Sequence, residues 1–227
     1  MPPRHRGPFS SYRPATVRAV TGIDWSDIRP RLAALAARPG ASHGWELEPS
    51  LTAGELAELE TQIGVELPAG YRTFLLEAGR GGAGPSFGLF PARRVDGRWT
   101  WADSPTSVHT LIRPFAHIRG FTPHDYLRER SAISGTEDLW GEIPEEIPED
   151  AAHSDGLLYL CHHGCALWAA LVVSGPSRGE MWTDYCADGE GFQPEQNPDG
   201  TRMTFTDWYR TWLTGAERDA AAARGDR

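Results

Sequence analysis

A chain of 227 residues, 40% hydrophobic and 23% charged, has the length and apolar content of one globular domain with extensions. All 22 basic residues are arginine, against 31 acidic ones, for a net charge of -9. A Walker A phosphate loop, Schiff-base or pyridoxal chemistry and a kinase fold each need a lysine, so all are excluded, and the acidic balance argues against a general nucleic-acid binder. The longest apolar run, Ala166 to Val173, falls far short of the roughly 20 residues of a spanning helix. Met1-Pro-Pro-Arg-His-Arg is not followed by the apolar core of a secretory signal. Three cysteines, Cys161, Cys165 and Cys186, are too few and odd in number for a disulfide framework. Together these features predict a cytoplasmic protein with no membrane contact.

Residues 1–22 are rich in proline and arginine and read as a flexible arm. Residues 1–40 hold seven arginines against Asp24 and Asp27, a balance of +5, so the remainder carries -14. From Asp24, a candidate N-cap, Trp25, Ile28, Leu32 and Leu35 recur at helical spacing until Pro39-Gly40. Thr52 and Glu55 form a capping box for a second helix, with Leu51 and Leu56 as a hydrophobic staple and Leu56, Leu59 and Ile63 as the buried stripe. Pro68 opens a third, which presents Tyr71, Phe74 and Leu75 on one face and ends at Gly79. The second and third helices are expected to pack as a pair.

The glycine-rich run Gly79 to Pro85 suits neither regular structure, and Phe87, Leu89 and Phe90 after it predict a short strand. Asp96-Gly97, flanked by Val95 and by alternating Trp99 and Trp101, predicts a hairpin. Residues 103–155 show no clear element. Within them Glu142-Ile-Pro-Glu145 repeats as Glu146-Ile-Pro-Glu149, and no arginine occurs from Ser131 to Ser177, so an extended acidic loop is expected. Leu157 to Cys161, Ala166 to Val173 and Glu180 to Tyr185 predict three antiparallel strands. The second lacks polar alternation and reads as a central strand covered on both faces, whereas Glu180 and Asp184 suggest an edge or half-exposed third strand. Thr204 and Asp207 form another capping box, opening a helix whose Phe205, Trp208, Tyr209 and Trp212 read as core. Residues 215–227 are expected to fray.

Several motifs suggest chemistry. Gly79-Arg-Gly-Gly-Ala-Gly84 has dinucleotide-loop glycines but follows a helix and precedes a strand, the reverse of the required order. Gly84-Pro-Ser86-Phe-Gly88 has nucleophile-elbow spacing, yet no helix follows and no histidine is evidently paired with Ser86, so a structural turn is expected. Cys161-His162-His163-Gly164-Cys165, with Cys186 downstream, offers zinc-type ligands at non-standard spacing. A hairpin turn at His162-His163-Gly164 with buried thiols and no metal is the preferred reading. Eight carboxylates lie between Glu137 and Asp155; such a run is either a solvated loop or a docking surface that steers a basic partner.

The order of features from Leu51-Thr-Ala-Gly-Glu-Leu-Ala-Glu-Leu-Glu60 through Gly64-Val-Glu-Leu-Pro68, Tyr71, Phe74 and the glycine loop to Gly88-Leu89 resembles the SUKH superfamily. That group contains bacterial toxin-immunity proteins and fungal regulators of cell-wall glucan synthesis. His163-Gly164-Cys165, Leu171-Val-Val, Gly179-Glu-Met-Trp182 and the Phe205-Thr-Asp-Trp208 helix resemble its later elements. The resemblance covers residues 45–90 and 157–214. It implies an α+β single domain over 23–214, a mostly antiparallel sheet flanked by helices, with an acidic insertion near 103–155. It implies binding rather than catalysis, with no catalytic residue and no cofactor, and Trp45, Glu60, Pro68, Tyr71, Gly88, Gly164, Gly179 and Trp182 as packing and turn positions. The expected function is that of an immunity protein neutralising a toxin domain with a basic surface. A regulatory or scaffold protein of the same fold is the alternative. The partner-binding candidates are Glu142, Glu145, Glu146, Glu149 and Asp150.

Overall fold

The computed structural model describes residues 22–36, 43–134 and 152–225. The arm, apart from Gly22, and Pro39-Gly40 lie outside the described residues. The architecture is mixed α+β, as expected, with helices around antiparallel sheets. Five α-helices are described: α1 (Ile28–Leu35), α2 (Ala53–Ile63), α3 (Ala69–Glu77), α4 (Pro123–Ser134) and α5 (Phe205–Gly225). The strands form a hairpin, β1 (Ala92–Val95) with β2 (Arg98–Trp101), and a sheet ordered β3 (Leu157–Gly164), β4 (Leu167–Val172), β5 (Met181–Tyr185), β6 (Gly191–Pro194).

The absence of polar alternation in β4 has the predicted consequence. Ala169, Leu171 and the following Val173 face a core shared with the helices, while Ala170 and Val172 face a second core with Phe115, Phe121, Trp182 and Phe192. β5, predicted as an edge or half-exposed strand, is instead interior. Asp184 is 9% exposed and is tolerated because Tyr159 Oη donates to it at 2.8 Å and Cys186 N–H at 2.9 Å. The fourth strand, β6, was not anticipated; two turn-like glycines, Gly189 and Gly191, hide it. Both sheet edges are covered. Phe121 exchanges two backbone hydrogen bonds with Phe192 of β6, and Leu160 O in β3 accepts from Phe90 N–H.

The helical layer follows the sequence closely. Thr52 Oγ1 accepts from Glu55 N–H while Glu55 reaches back to Thr52 N–H, completing the capping box, and Gly64 ends α2 in the left-handed conformation. Between α2 and α3, Glu60 accepts from Arg72 Nε and Nη2, at 2.7 and 3.0 Å, and from Leu67 N–H at 2.9 Å. That carboxylate fixes the Leu67-Pro68 elbow and hence the helix pair. Tyr71 of α3 is buried, its Oη accepting from Trp101 Nε1 at 2.7 Å.

Four expectations need correction here. The first helix begins at Ile28 with Asp27, not Asp24, at its N-cap, because Asp24 Oδ1 caps Ser26 N–H in the preceding turn. Trp25 is still core, donating to Thr73 Oγ1 at 2.9 Å. Phe87, Leu89 and Phe90 do not form a strand. A tight turn takes up Phe87, leaving isolated bridges from Leu89 to Gly82 and Cys161. The region 103–155 contains α4, masked by a polar surface although Thr122 and Asp125 make a capping box in front of it. Finally, α5 does not fray at Gly215 but runs to Gly225, held by buried Ala220 and by an Arg31–Glu217 ion pair of 2.7 Å. Among the described residues, no helix is long and apolar enough to cross a membrane.

Replacing Glu60 with alanine strands the mostly buried Arg72 and the Leu67 N–H. Equilibrium chemical denaturation of Glu60→Ala is expected to show a loss of about 3 kcal/mol, against about 1 kcal/mol for Thr52→Ala at the capping box.

Candidate functional site

The carboxylates expected to bind a partner, Glu142, Glu145, Glu146, Glu149 and Asp150, lie outside the described residues. What the structure assembles instead is an aromatic tip at the β3–β4 hairpin, and two bulges in β3 create it. Tyr159 pairs with Ala170 and Cys161 with Ala169, so Leu160 is an extra residue; His162 pairs with Trp168 and Gly164 with Leu167, so His163 is a second. A bulge breaks the two-residue alternation. Leu160 and Cys161 consequently both face the helical core, His162 falls on the Trp168 side of the sheet, and His163 turns toward the glycine loop.

The expected turn at His162-His163-Gly164 is therefore displaced. The hairpin turns at Cys165-Ala166, with φ of 50° and 56°. Both residues hold a left-handed conformation that glycine or asparagine would adopt at less cost. Of the three thiols only Cys161 is buried; Cys165 is exposed at the tip and Cys186 is half-buried. Burial pushes the Cys161 thiol up to about 12, making it a packing group rather than a nucleophile. Among the described residues, no group of three or more histidine, cysteine, aspartate or glutamate side chains could hold a metal ion.

Facing the hairpin is the Pro85–Gly88 turn, closed by Gly88 N–H to Pro85 O at 2.8 Å. Gly88, at φ 94°, packs so closely on the Gly82 carbonyl that a Cβ would collide with it. Ser86 sits at φ 48°, another left-handed residue without the glycine excuse. Contrary to the sequence reading, Ser86 does pair with a histidine: its Oγ is 2.9 Å from His163 Nδ1. Burial lowers the His163 pKa, so the ring is neutral at pH 7.

A hydroxyl bonded to an imidazole is half of a nucleophilic device. The other half would be backbone N–H groups facing a reacting carbonyl. Here the Gly88 N–H is already spent on Pro85 O, and the Cys161 S–H reaches that same carbonyl at 3.0 Å. This arrangement braces the turn to the hairpin. Its product is the presentation of Phe87, which is 61% exposed. The Phe87 ring stacks on His162 at 5.5 Å, His162 stacks on Trp168 at 4.3 Å, and Phe90 meets Trp168 at 6.0 Å. Gly164 leaves room beneath the ring, its absent Cβ position being 3.9 Å from Phe87. A continuous aromatic ladder thus runs from solvent down to the sheet.

Positions named for the SUKH resemblance have structural duties. Trp45 stacks on Trp212 at 6.0 Å, Pro68 caps α3, Gly179 turns at φ 96°, and Trp182 is fully buried between the sheet and Phe115. No protein-family model matches the chain, and neither a curated protein nor a solved structure matches it.

The left-handed tip gives a direct check on stored strain. The double variant Cys165→Asn with Ala166→Gly, which supplies the residues this turn type favours, is expected to raise the unfolding free energy by about 1 kcal/mol, measured by denaturant titration.

Proposed function

We propose that this chain is a non-enzymatic protein-binding module of the cytoplasm: an immunity protein that binds and neutralises a cognate toxin domain with a basic surface. The observation that carries the reading is Phe87, a large aromatic side chain held in solvent on a turn braced by Ser86–His163 and Cys161–Pro85 contacts. Binding energy concentrates in rigid aromatic anchors that fill a pocket on the partner. The immobilisation cost of such an anchor falls when its own protein already fixes the rotamer, as the His162 stack does. The resemblance to the SUKH superfamily supports a binding role. The surplus of -14 beyond residue 40 supports a basic partner, since complementary charge accelerates encounter and excludes wrong partners.

The two contributions separate kinetically. Against the cognate toxin domain of this proposal, Phe87→Ala is expected to weaken binding about 30-fold, mainly through faster dissociation, with little loss of fold stability. Replacing Glu142, Glu145, Glu146, Glu149 and Asp150 together with alanine is expected to slow association and flatten its salt dependence, read by stopped-flow at several ionic strengths. Toxicity unchanged on co-expression, with no co-purification, would reject the proposal.

A further inference from the structure

On the sheet face opposite α5, the strip Ala116–Phe121 runs along β6, and α4 stands beside it. Between them is a cleft of about 260 Å³ lined by His117, Arg119, Phe121, Asp125, Arg128 and Glu129. His153, in the single helical turn Ala152–Ser154 that leads into β3, packs into this junction. Its ring stacks on Phe121 at 4.4 Å and meets Tyr126 of α4 edge-on at 5.5 Å. Its Nδ1 lies 3.2 Å from Nε2 of His117. His117 in turn stacks on Phe121 at 4.0 Å and meets Phe115 edge-on at 5.1 Å, and its carbonyl accepts from Ser177 Oγ at 2.9 Å. Beside the Phe121–Phe192 backbone bonds, the imidazole pair is therefore a side-chain polar link joining the entry to β3, the strip on β6 and the aromatic face of α4.

We propose that His117 and His153 form a two-proton clasp, which holds α4 and the strip against the sheet while the pair carries at most one proton and releases them when both rings are charged. The logic lies in the hydrogen bond itself. An Nδ1 to Nε2 contact needs one donor and one acceptor. A neutral pair supplies them, and so does a pair with one extra proton, where an imidazolium donates to a neutral ring and the bond is stronger. A second proton leaves two N–H groups and two positive charges facing each other among Phe115, Phe121 and Phe192.

The surrounding charges set the order of events. Glu129 Oε2 is 3.9 Å from His153 Nε2 and draws the first proton there. Asp125 also faces His117 and favours its charge, but Arg119 opposes it, and Asp125 is shared with Arg128 at 2.8 Å. Arg130 of α4 lies over the Tyr126 ring, 5.8 Å from its centre. Burial, then the neighbouring His153, hold His117 down to about 4, and burial also lowers His153. Both histidines take up protons less readily in the folded state than in the unfolded one. Their stabilisation is complete above the ordinary value of 6.5 and is lost as pH falls toward about 4.

The experiment is an NMR titration of the full chain from neutral pH to about 4, following the two imidazoles and the backbone amides of α4 and Phe121. Expected are two proton uptakes, the first leaving the α4 amides in place and the second displacing them together with Phe121. In His117→Phe, which keeps the ring stack but accepts no proton, the α4 amides are expected to lose that second transition. Independent titration of both rings near 6.5, or α4 amides unmoved while both rings become charged, would overturn the clasp. So would a His117→Phe variant whose α4 amides shift at the wild-type midpoint. Should that variant not fold, the wild-type titration decides alone, through whether the α4 shifts follow the second proton. None of these outcomes depends on what the aromatic tip binds.

Discussion

Burial of β4 on both faces constrains nearly everything else in the molecule, because a strand with no solvated side forces its sheet to be covered twice. One cover is built from α1, α2, α3 and α5, whose Leu56, Phe74, Phe205 and Tyr209 meet Ala169, Leu171 and Val173 in a common core. The other is a smaller aromatic layer in which Phe115, Phe121 and Phe192 close over Ala170, Val172 and Trp182. A single helical layer would leave Val172 and Trp182 in water, so the chain between β2 and β3 must return across the far face. Both outer strands then meet neighbouring backbone, which removes the open edge that would otherwise invite pairing with another chain.

With its edges closed, the sheet can offer a partner little but its corners, and the corner at the β3–β4 hairpin is where strain collects. Ser86, Cys165 and Ala166 all hold positive φ without being glycine. Such conformations cost of order 1 kcal/mol or more each and persist only where surrounding contacts over-determine them. Here those contacts are the Ser86–His163 hydrogen bond and the Cys161 thiol, which donates to the Pro85 carbonyl of the turn. Their effect is to hold a phenyl ring outward, 61% exposed to solvent.

Helices α1, α2, α3 and α5 and the central strand were legible in the sequence because their signals are local, whereas the polar surface of α4 hid it despite its capping box. The Thr52–Glu55 and Thr204–Asp207 boxes, the Leu56-Leu59-Ile63 stripe and the apolar run of β4 each state their own conformation. The tip was not legible, because a bulge leaves no periodic mark. The extra residues Leu160 and His163 shift the turn from His162-His163-Gly164 to Cys165-Ala166, and from that shift follow the solvent-facing Cys165, the Ser86–His163 contact and the stack under Phe87. The His117–His153 pair was hidden for a different reason: its members are 36 residues apart, with α4 between them in the chain. The interior position of β5 was missed because Asp184 looked like a solvated residue, and only the pairing with Tyr159 Oη makes its burial tolerable.

The lysine-free composition gains a meaning once the ion pairs are in view. Arg72 grips Glu60 through two nitrogens, Arg80 and Arg93 converge on Glu48, and Arg31 and Arg210 share Asp27. Apart from the local Arg31–Asp27 contact, these pairs join separate segments of the chain, and a planar guanidinium fork can satisfy a carboxylate edge-on where a lysine ammonium supplies only a point charge. Positive charge is thereby committed to tying helices and loops together. These five arginines share three carboxylates, and the chain as a whole keeps a net charge of -9 that sets its long-range field. Under the proposed function, acidic groups supply long-range attraction and the aromatic corner supplies short-range residence, and the two are free to vary independently because different parts of the chain supply them.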